Sequence, residues 1–245
     1  MGQDPDQPDR IFASGQARQG SFRFDENVVR VFPDMIARSV PGYELIVPMT
    51  GLLARRYAQS STRIYDLGCS LGASTLAMAG AVRAEGVRFV AVDNSRPMIE
   101  RFRERLADAP SADVELRCED LRDTAIENAS VVVMNFTLQF IAPADRLGLL
   151  QKIAAGMAPG GVLLIAEKLR FEDAGSQQDQ AAWHHDFKRA MGYSELEIAA
   201  KRTALEKVLE PDTYAQHEAR LEAAGFGRVE RWFQCFAFQA LIAFR

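Results

Sequence analysis

The chain has 245 residues, 48% of them apolar and 25% charged, which excludes a disordered polymer and leaves ample material for a core without disulfides or a structural metal. Lys plus Arg number 29 against 33 for Asp plus Glu, a formal charge of −4 with no clustered basic excess, so direct nucleic-acid binding is disfavoured and a small-molecule site is favoured. Three widely spaced cysteines (Cys69, Cys118, Cys235) read as free thiols in a reducing compartment, and the lack of a signal-like start or a membrane-length apolar run predicts a cytoplasmic protein with no membrane contact.

Residues 1–20, rich in Gln, Asp, Pro and Gly, predict a disordered or loosely docked tail, and residues 21–245 predict one domain. Val28, Val31, Phe32, Met35 and Ile36 recur at helical spacing between Asn27 and Ser39; a break at Val40-Pro41-Gly42 precedes a second helix from Tyr43 to Tyr57. Strands and helices then alternate: strand Ile64 to Leu67, helix Ser74 to Arg83, strand Arg88 to Val92, helix Pro97 to Leu106 and strand Val114 to Cys118. Strand Val131 to Met134, helix Ala144 to Met157, the turn Pro159-Gly160-Gly161 and strand Val162 to Ala166 complete the series. Short, continuous apolar strands separated by helices describe a mostly parallel, Rossmann-like α/β sheet covered on both faces. Helix Thr213 to Ala224 ends at Gly225, and strands Val229 to Phe233 and Ala237 to Ala243 form an antiparallel hairpin at the C-terminal edge. Residues 169–209, polar and helical, are too long for a simple crossover and predict a lid over the strand ends.

The segment Asp66-Leu67-Gly68-Cys69-Ser70-Leu71-Gly72 follows a strand and opens a helix, where small residues let a ligand approach the backbone. A plain βα turn explains it equally well in isolation. Ser70 stands where a dinucleotide fingerprint needs its second glycine, which argues against pyrophosphate and for a phosphate-free nucleoside such as S-adenosylmethionine. The next strand ends in Asp93-Asn94, at the spacing from Gly68 that puts an acid on ribose hydroxyls. The third ends in Glu119-Asp120-Leu121, an acid for an adenine amine beside an apolar wall, and the fourth ends at Asn135, below the methionine portion. Each strand end alone is an ordinary turn; together they are a methyltransferase-type cofactor edge.

Ser194 and Glu197 form a capping box for a helix running to about Leu209. At about 100° per residue, Ile198, Leu205 and Leu209 make one stripe, and Arg202 falls inside it. Two readings stand: Arg202 reaches out to pair with Glu206, or its guanidinium is held over the site to grip a carboxylate in two parallel hydrogen bonds. Neighbouring His184 and His185 diverge on a helix, which fits a lid role and no metal.

From about Phe24 onward the chain closely resembles the carboxy-S-adenosyl-L-methionine synthases, bacterial enzymes of the seven-stranded methyltransferase fold. The resemblance rests on Val31-Phe32-Pro33-Asp34-Met35-Ile36, Arg38-Ser39-Val40-Pro41-Gly42-Tyr43, Asp66 to Ala73, Ala125 to Ser130, Asn135 to Phe140, His184 to Ala190, Gly192 to Ile198 and Trp232 to Phe236. It implies conversion of S-adenosyl-L-methionine and prephenate to carboxy-S-adenosyl-L-methionine and phenylpyruvate, feeding modification of the tRNA wobble uridine by a second enzyme. It also implies a homodimer, cofactor contacts at Tyr43, Gly68, Cys69, Ser70, Asp93, Asn94, Asp120, Leu121 and Asn135, and a product-carboxylate contact at Arg202, the one catalytic assignment. The competing reading is an S-adenosylmethionine-dependent methyltransferase acting on a small acid or RNA, sharing every cofactor residue. Which groups hold prephenate is left open among Arg38, Lys188, Arg189 and Tyr193.

Overall fold

The computed structural model describes residues 8–13, 24–107, 113–205 and 208–245. Helices α1 (Glu26–Ala37) and α2 (Tyr43–Tyr57) lead into β1 (Arg63–Leu67), α3 (Ala73–Ala81), β2 (Arg88–Asp93), α4 (Arg96–Ala107), β3 (Val114–Cys118), β4 (Ala129–Asn135), α5 (Pro143–Gly156) and β5 (Met157–Lys168). The lid helices α6 (Ala174–Ala190) and α7 (Glu195–Leu205) follow, then α8 (Tyr214–Ala223) and the hairpin β6 (Arg228–Cys235) and β7 (Phe238–Phe244). All seven strands form one sheet ordered β3-β2-β1-β4-β5-β7-β6. The first five strands pair in parallel, and β7 runs antiparallel to β5 and β6, as the alternation and the closing hairpin require.

The two-residue period of the strands divides the core. Tyr65, Leu67, Val90, Val92, Val132 and Met134 pack under α5 and α8, while Ile64, Phe89, Val131 and Val133 pack against α2 and α3. Ala91 meets Ile99 and Phe102 of α4. Strand order reverses between β1 and β4, so a crevice opens outside their carboxyl ends, where open α/β sheets bind ligands.

Two sequence expectations are corrected. The turn Pro159-Gly160-Gly161 is an irregularity inside β5: Ala129 pairs with Met157 and Val131 with Val162, the extra residues being absorbed around Gly160 at φ +74°. The described part of the helix expected to reach Leu209 is α7, Glu195–Leu205; residues 206 and 207 lie outside the described residues, and the Leu209 amide still donates to the Leu205 carbonyl at 2.9 Å before the Glu210 amide turns to the Gln139 carbonyl at 3.0 Å. Part of the expected disordered tail is ordered: Asp9 and Phe12 are each only 2% exposed, Phe12 packing on Ala200 and Ala204 of α7. The polar composition of this segment hid one apolar anchor with a groove to fill. Residues 1–7 and 14–20 of that expectation lie outside the described residues.

Candidate active site

The turn after β1 is bent by three left-handed residues, Gly68 (φ +82°), Ser70 (φ +50°) and Gly72 (φ +79°). A side chain at Gly68 would place its Cβ 2.3 Å from Thr137 Oγ1, so glycine is what lets the ends of β1 and β4 approach. The Ser70 amide donates to Asp93 Oδ2 at 2.9 Å and the Ser95 amide to Asp93 Oδ1 at 2.8 Å. Each carboxylate oxygen keeps a second lone pair, the donor-set chemistry that a ribose diol needs. Burial raises the Asp93 carboxyl from its ordinary value, and the two amides oppose this. Cys69 is buried and its thiol is pushed well above the usual range, again by burial, so it serves as wall and backbone and not as a nucleophile.

Asp66 lies one residue before the end of β1, 3% exposed, and accepts from Thr75 Oγ1 at 2.6 Å; burial lifts its carboxyl to about 6. Tyr43 opens α2 beside Phe136, ring centroids 6.2 Å apart, and burial, then the charge of Asp66, pushes its hydroxyl up to about 12. It is therefore a permanent donor. Asn135 donates to Ser74 Oγ at 3.0 Å and Thr50 Oγ1 at 3.3 Å, which fixes its amide at the β4 end. Asn94 is exposed beside Asp93, and Leu121 packs at the margin of the core. Asp120 is gripped by Arg122, at 2.7 Å from Nη2, and that guanidinium holds its carboxyl below the usual range. Tyr43, Gly68, Cys69, Ser70, Asp93 and Asn135 thus gather at the reversal point, while Asn94, Asp120 and Leu121 continue along the ends of β2 and β3.

Arg202 is placed differently from the sequence expectation. The buried face of α7 carries Ile198, Lys201 and Ala204, and Arg202 is exposed on its flank. The stripe is centred a little to one side of Ile198, because the strap of residues 8–13 supplies a second surface to cover. Glu206, its sequence-inferred partner, lies outside the described residues. Arg202 remains on the lid, where its charge is felt by His185 and Lys188 of α6. The capping box is formed: the Glu197 amide donates to Ser194 Oγ at 3.3 Å, and the Ser194 amide to Glu197 Oε2 at 2.8 Å.

The structure adds residues that periodicity did not single out. Phe136 holds φ +58°, a costly conformation for a bulky residue, and its amide donates to the Ala166 carbonyl at 2.6 Å. Glu167, 1% exposed, accepts the Leu138 and Gln139 amides at 2.7 and 3.1 Å and so pins the loop after β4; burial lifts its carboxyl to about 8. The interruption of an apolar strand by Glu167-Lys168 was the available signal. From Tyr43 an aromatic row leads to the lid: Phe136 to Phe238 at 6.3 Å, then Phe238 to His184 at 4.9 Å. His184 Nε2 donates to the Ser39 carbonyl at 2.8 Å, and burial, followed by the field of Lys188, lowers its ring to about 2, so the imidazole is neutral.

Around Tyr193 the lid is strapped to the domain. Tyr193 donates to Asp9 Oδ2 at 2.5 Å; Lys201 Nζ lies 2.7 Å from Ser39 Oγ and 3.4 Å from Asp9 Oδ2. Arg38 covers the Tyr193 ring at 4.0 Å and pairs with Asp34 at 3.0 Å. Among the described residues no group of three His, Cys, Asp or Glu is gathered as a metal would require.

The sheet order, the glycine turn and the acid-tipped strands together define a methyltransferase-type fold with a nucleoside crevice. Residues 64–161 match the family model described as a methyltransferase domain. Among solved structures, a putative O-methyltransferase from Nostoc punctiforme superposes with a TM-score of 0.59 at 16% identity, over 87% of this chain and 61% of that one, a likeness of fold. The carboxy-S-adenosyl-L-methionine synthase of Geobacter metallireducens is 56% identical over 97% of this chain and 98% of its own length. That of Aeromonas hydrophila is also 56% identical, over 97% of this chain and 96% of its own. The chain belongs to the carboxy-S-adenosyl-L-methionine synthase family.

Proposed function

We propose that the chain transfers the carboxyl group of prephenate to the methyl group of S-adenosyl-L-methionine, giving carboxy-S-adenosyl-L-methionine, phenylpyruvate and water. The chemistry balances without an external oxidant. Prephenate loses its ring carboxylate as carbon dioxide and its ring hydroxyl as hydroxide when the ring becomes aromatic; the hydroxide takes one proton from the sulfonium methyl, and that carbon bonds to the carbon dioxide. The protein supplies proximity, exclusion of water and a cation for the new carboxylate. Asp93 and Asn94 take the ribose, Asp120 and Leu121 the adenine, and Gly68, Cys69, Ser70, Tyr43 and Asn135 the amino-acid arm. Arg202 is the guanidinium for the carboxylate on the methyl carbon. No side-chain base is required, which agrees with Asp66 being committed to Thr75 and His184 to Ser39.

The observation that carries this reading is near-full-length similarity to enzymes named for the carboxylated product, joined to a lid that brings cations to a cofactor edge. Its test is mass analysis of S-adenosyl-L-methionine incubated with protein and prephenate. A product heavier by one carbon dioxide, with phenylpyruvate formed in equal amount, is the expected result; S-adenosylhomocysteine in its place refutes it.

Within the same reading the protein works as a cytoplasmic homodimer whose product supplies tRNA wobble-uridine modification without itself touching tRNA. Support comes from the net acidic charge, the lack among the described residues of a helix long and apolar enough to cross a membrane, and the exposed Leu45 and Leu52 on one face of α2. Light scattering tests the pairing.

A further inference from the structure

Several cations of the lid and of the elements beside it are committed to carboxylates, hydroxyls or carbonyls. Arg38 donates to Asp34 and to the Met191 carbonyl, Lys201 to Ser39 and Asp9, and Arg189 pairs with Asp186 and Glu195. Lys188 and Lys168 differ: among the described residues neither ammonium has a hydrogen-bond or ion-pair partner, although Lys188 is only 7% exposed. A buried, unpaired ammonium beside another is unfavourable in the ligand-free fold and is kept only if something else compensates.

Their placement indicates what that is. Lys168 ends β5 opposite Phe238, Phe238 packs on His184 at 4.9 Å, and Lys188 lies one helical turn beyond His184 on the same face of α6. The same Phe238 continues through Phe136 to Tyr43 at the cofactor crevice. An aromatic row therefore runs from the crevice to two ammonium groups, and apolar rings beside cations are the chemistry that a cyclic acid with a charged tail calls for. Burial first, then the fields of Lys168, Lys201 and Arg202, lowers Lys188 to about 7, so an arriving anion both pairs with it and restores its proton.

We propose that Lys188, assisted by Lys168, holds the carboxylate the second substrate keeps, the 2-oxo acid end of prephenate, while Arg202 attends to the carboxylate that moves. This rests on the reading given under Proposed function and deepens it, dividing two carboxylates between two cationic positions. Neutral His184 and Phe238 form the wall between them.

The test compares Lys188→Met and Lys188→Arg with the parent full-length protein. For Lys188→Met we expect the KM for prephenate to rise by about 30-fold or more, with S-adenosyl-L-methionine affinity unchanged and the ligand-free Tm raised, since an uncompensated charge is gone. Lys188→Arg, which keeps the charge, restores most of the KM. Calorimetric binding of phenylpyruvate to the S-adenosyl-L-methionine-loaded protein is the separate arm: it weakens in Lys188→Met and Lys168→Met. A parental KM and parental phenylpyruvate affinity in Lys188→Met overturn the assignment while leaving the carboxylation reading intact. If the parent protein makes no carboxylated product, that reading falls, and phenylpyruvate binding still decides whether Lys188 is an acid-binding residue.

Discussion

Phe12→Ala perturbs the strap without touching the crevice. Phe12 is 2% exposed and sits against Ala200 and Ala204 of α7, a contact between the N-terminal segment and the lid and not part of the sheet core. Truncating a buried Phe costs ~3 kcal/mol, and at ~1.4 kcal/mol per factor of ten that weakens strap docking by about 150-fold. Undocking also removes Asp9 from Tyr193 and Lys201, leaving the lysine without its carboxylate. Because the lost contacts are local, the cost is expressed as lid opening and not as global unfolding. Hydrogen exchange of the α7 amides from Ile198 to Leu205 therefore accelerates by up to about 150-fold, while amides of β1, β4 and β5 keep their parental rates. The kcat/KM for prephenate falls with it, since an open lid leaves Lys188 and Arg202 away from the substrate. Unchanged α7 exchange, or an equal acceleration throughout the sheet, refutes the assignment of the strap as a lid fastener.

Three other outcomes follow from the site. Asp93→Asn replaces an oxygen that accepts a backbone amide with an N–H that cannot, and S-adenosyl-L-methionine affinity measured by calorimetry drops by roughly 30-fold with the fold retained; parental affinity counts against the ribose role. Arg202→Leu leaves S-adenosyl-L-methionine binding nearly intact but abolishes preference for the carboxylated form, and an unchanged ratio of the two affinities defeats the guanidinium's assignment. Lys188 titrates near 7 in the fold against about 10.4 in an unfolded chain, so the unfolded state binds more protons between these values and the penalty of burying the charge, full below pH 7, is relieved as pH rises through that window. The Tm advantage of Lys188→Met over the parent accordingly shrinks from pH 7 to 10, and burial, which lowers Lys201 to about 8, removes one of the opposing fields within the same window; a constant advantage contradicts the burial argument.

The parts of this molecule legible in its sequence are those where one local rule dominates. Strands such as Val131 to Met134 are apolar on both faces because helices cover both, and the helix from Tyr43 to Tyr57 was bounded correctly by its glycine. Asp93 and Asn135 could be placed because a strand's carboxyl end is fixed by the strand itself. Lys201 and Arg202 show where this stops. A helical wheel assumes one partner surface, but α7 has two, the domain and the strap, and the added contact with Phe12 turns the buried face toward Lys201. Phe12 itself was invisible because a single buried side chain has no period. Arg38, Lys188, Arg189 and Tyr193 are equivalent in the sequence, and only tertiary contacts, which tie Arg38 to Asp34, Arg189 to Glu195 and Tyr193 to Asp9, set Lys188 apart.

Under the proposed function, the ammonium of Lys188 is what turns a methyl-donor fold to carboxylation. An ammonium as largely buried as that of Lys188 is unfavourable until an anion stands beside it. A dianion supplies that in two places, one charge for Lys188 and one for the neighbourhood of the sulfonium and Arg202. On the proposal made above, selectivity for carboxyl transfer over methyl transfer rests on Lys188 of α6 and Lys168 of β5, outside the turn that follows β1.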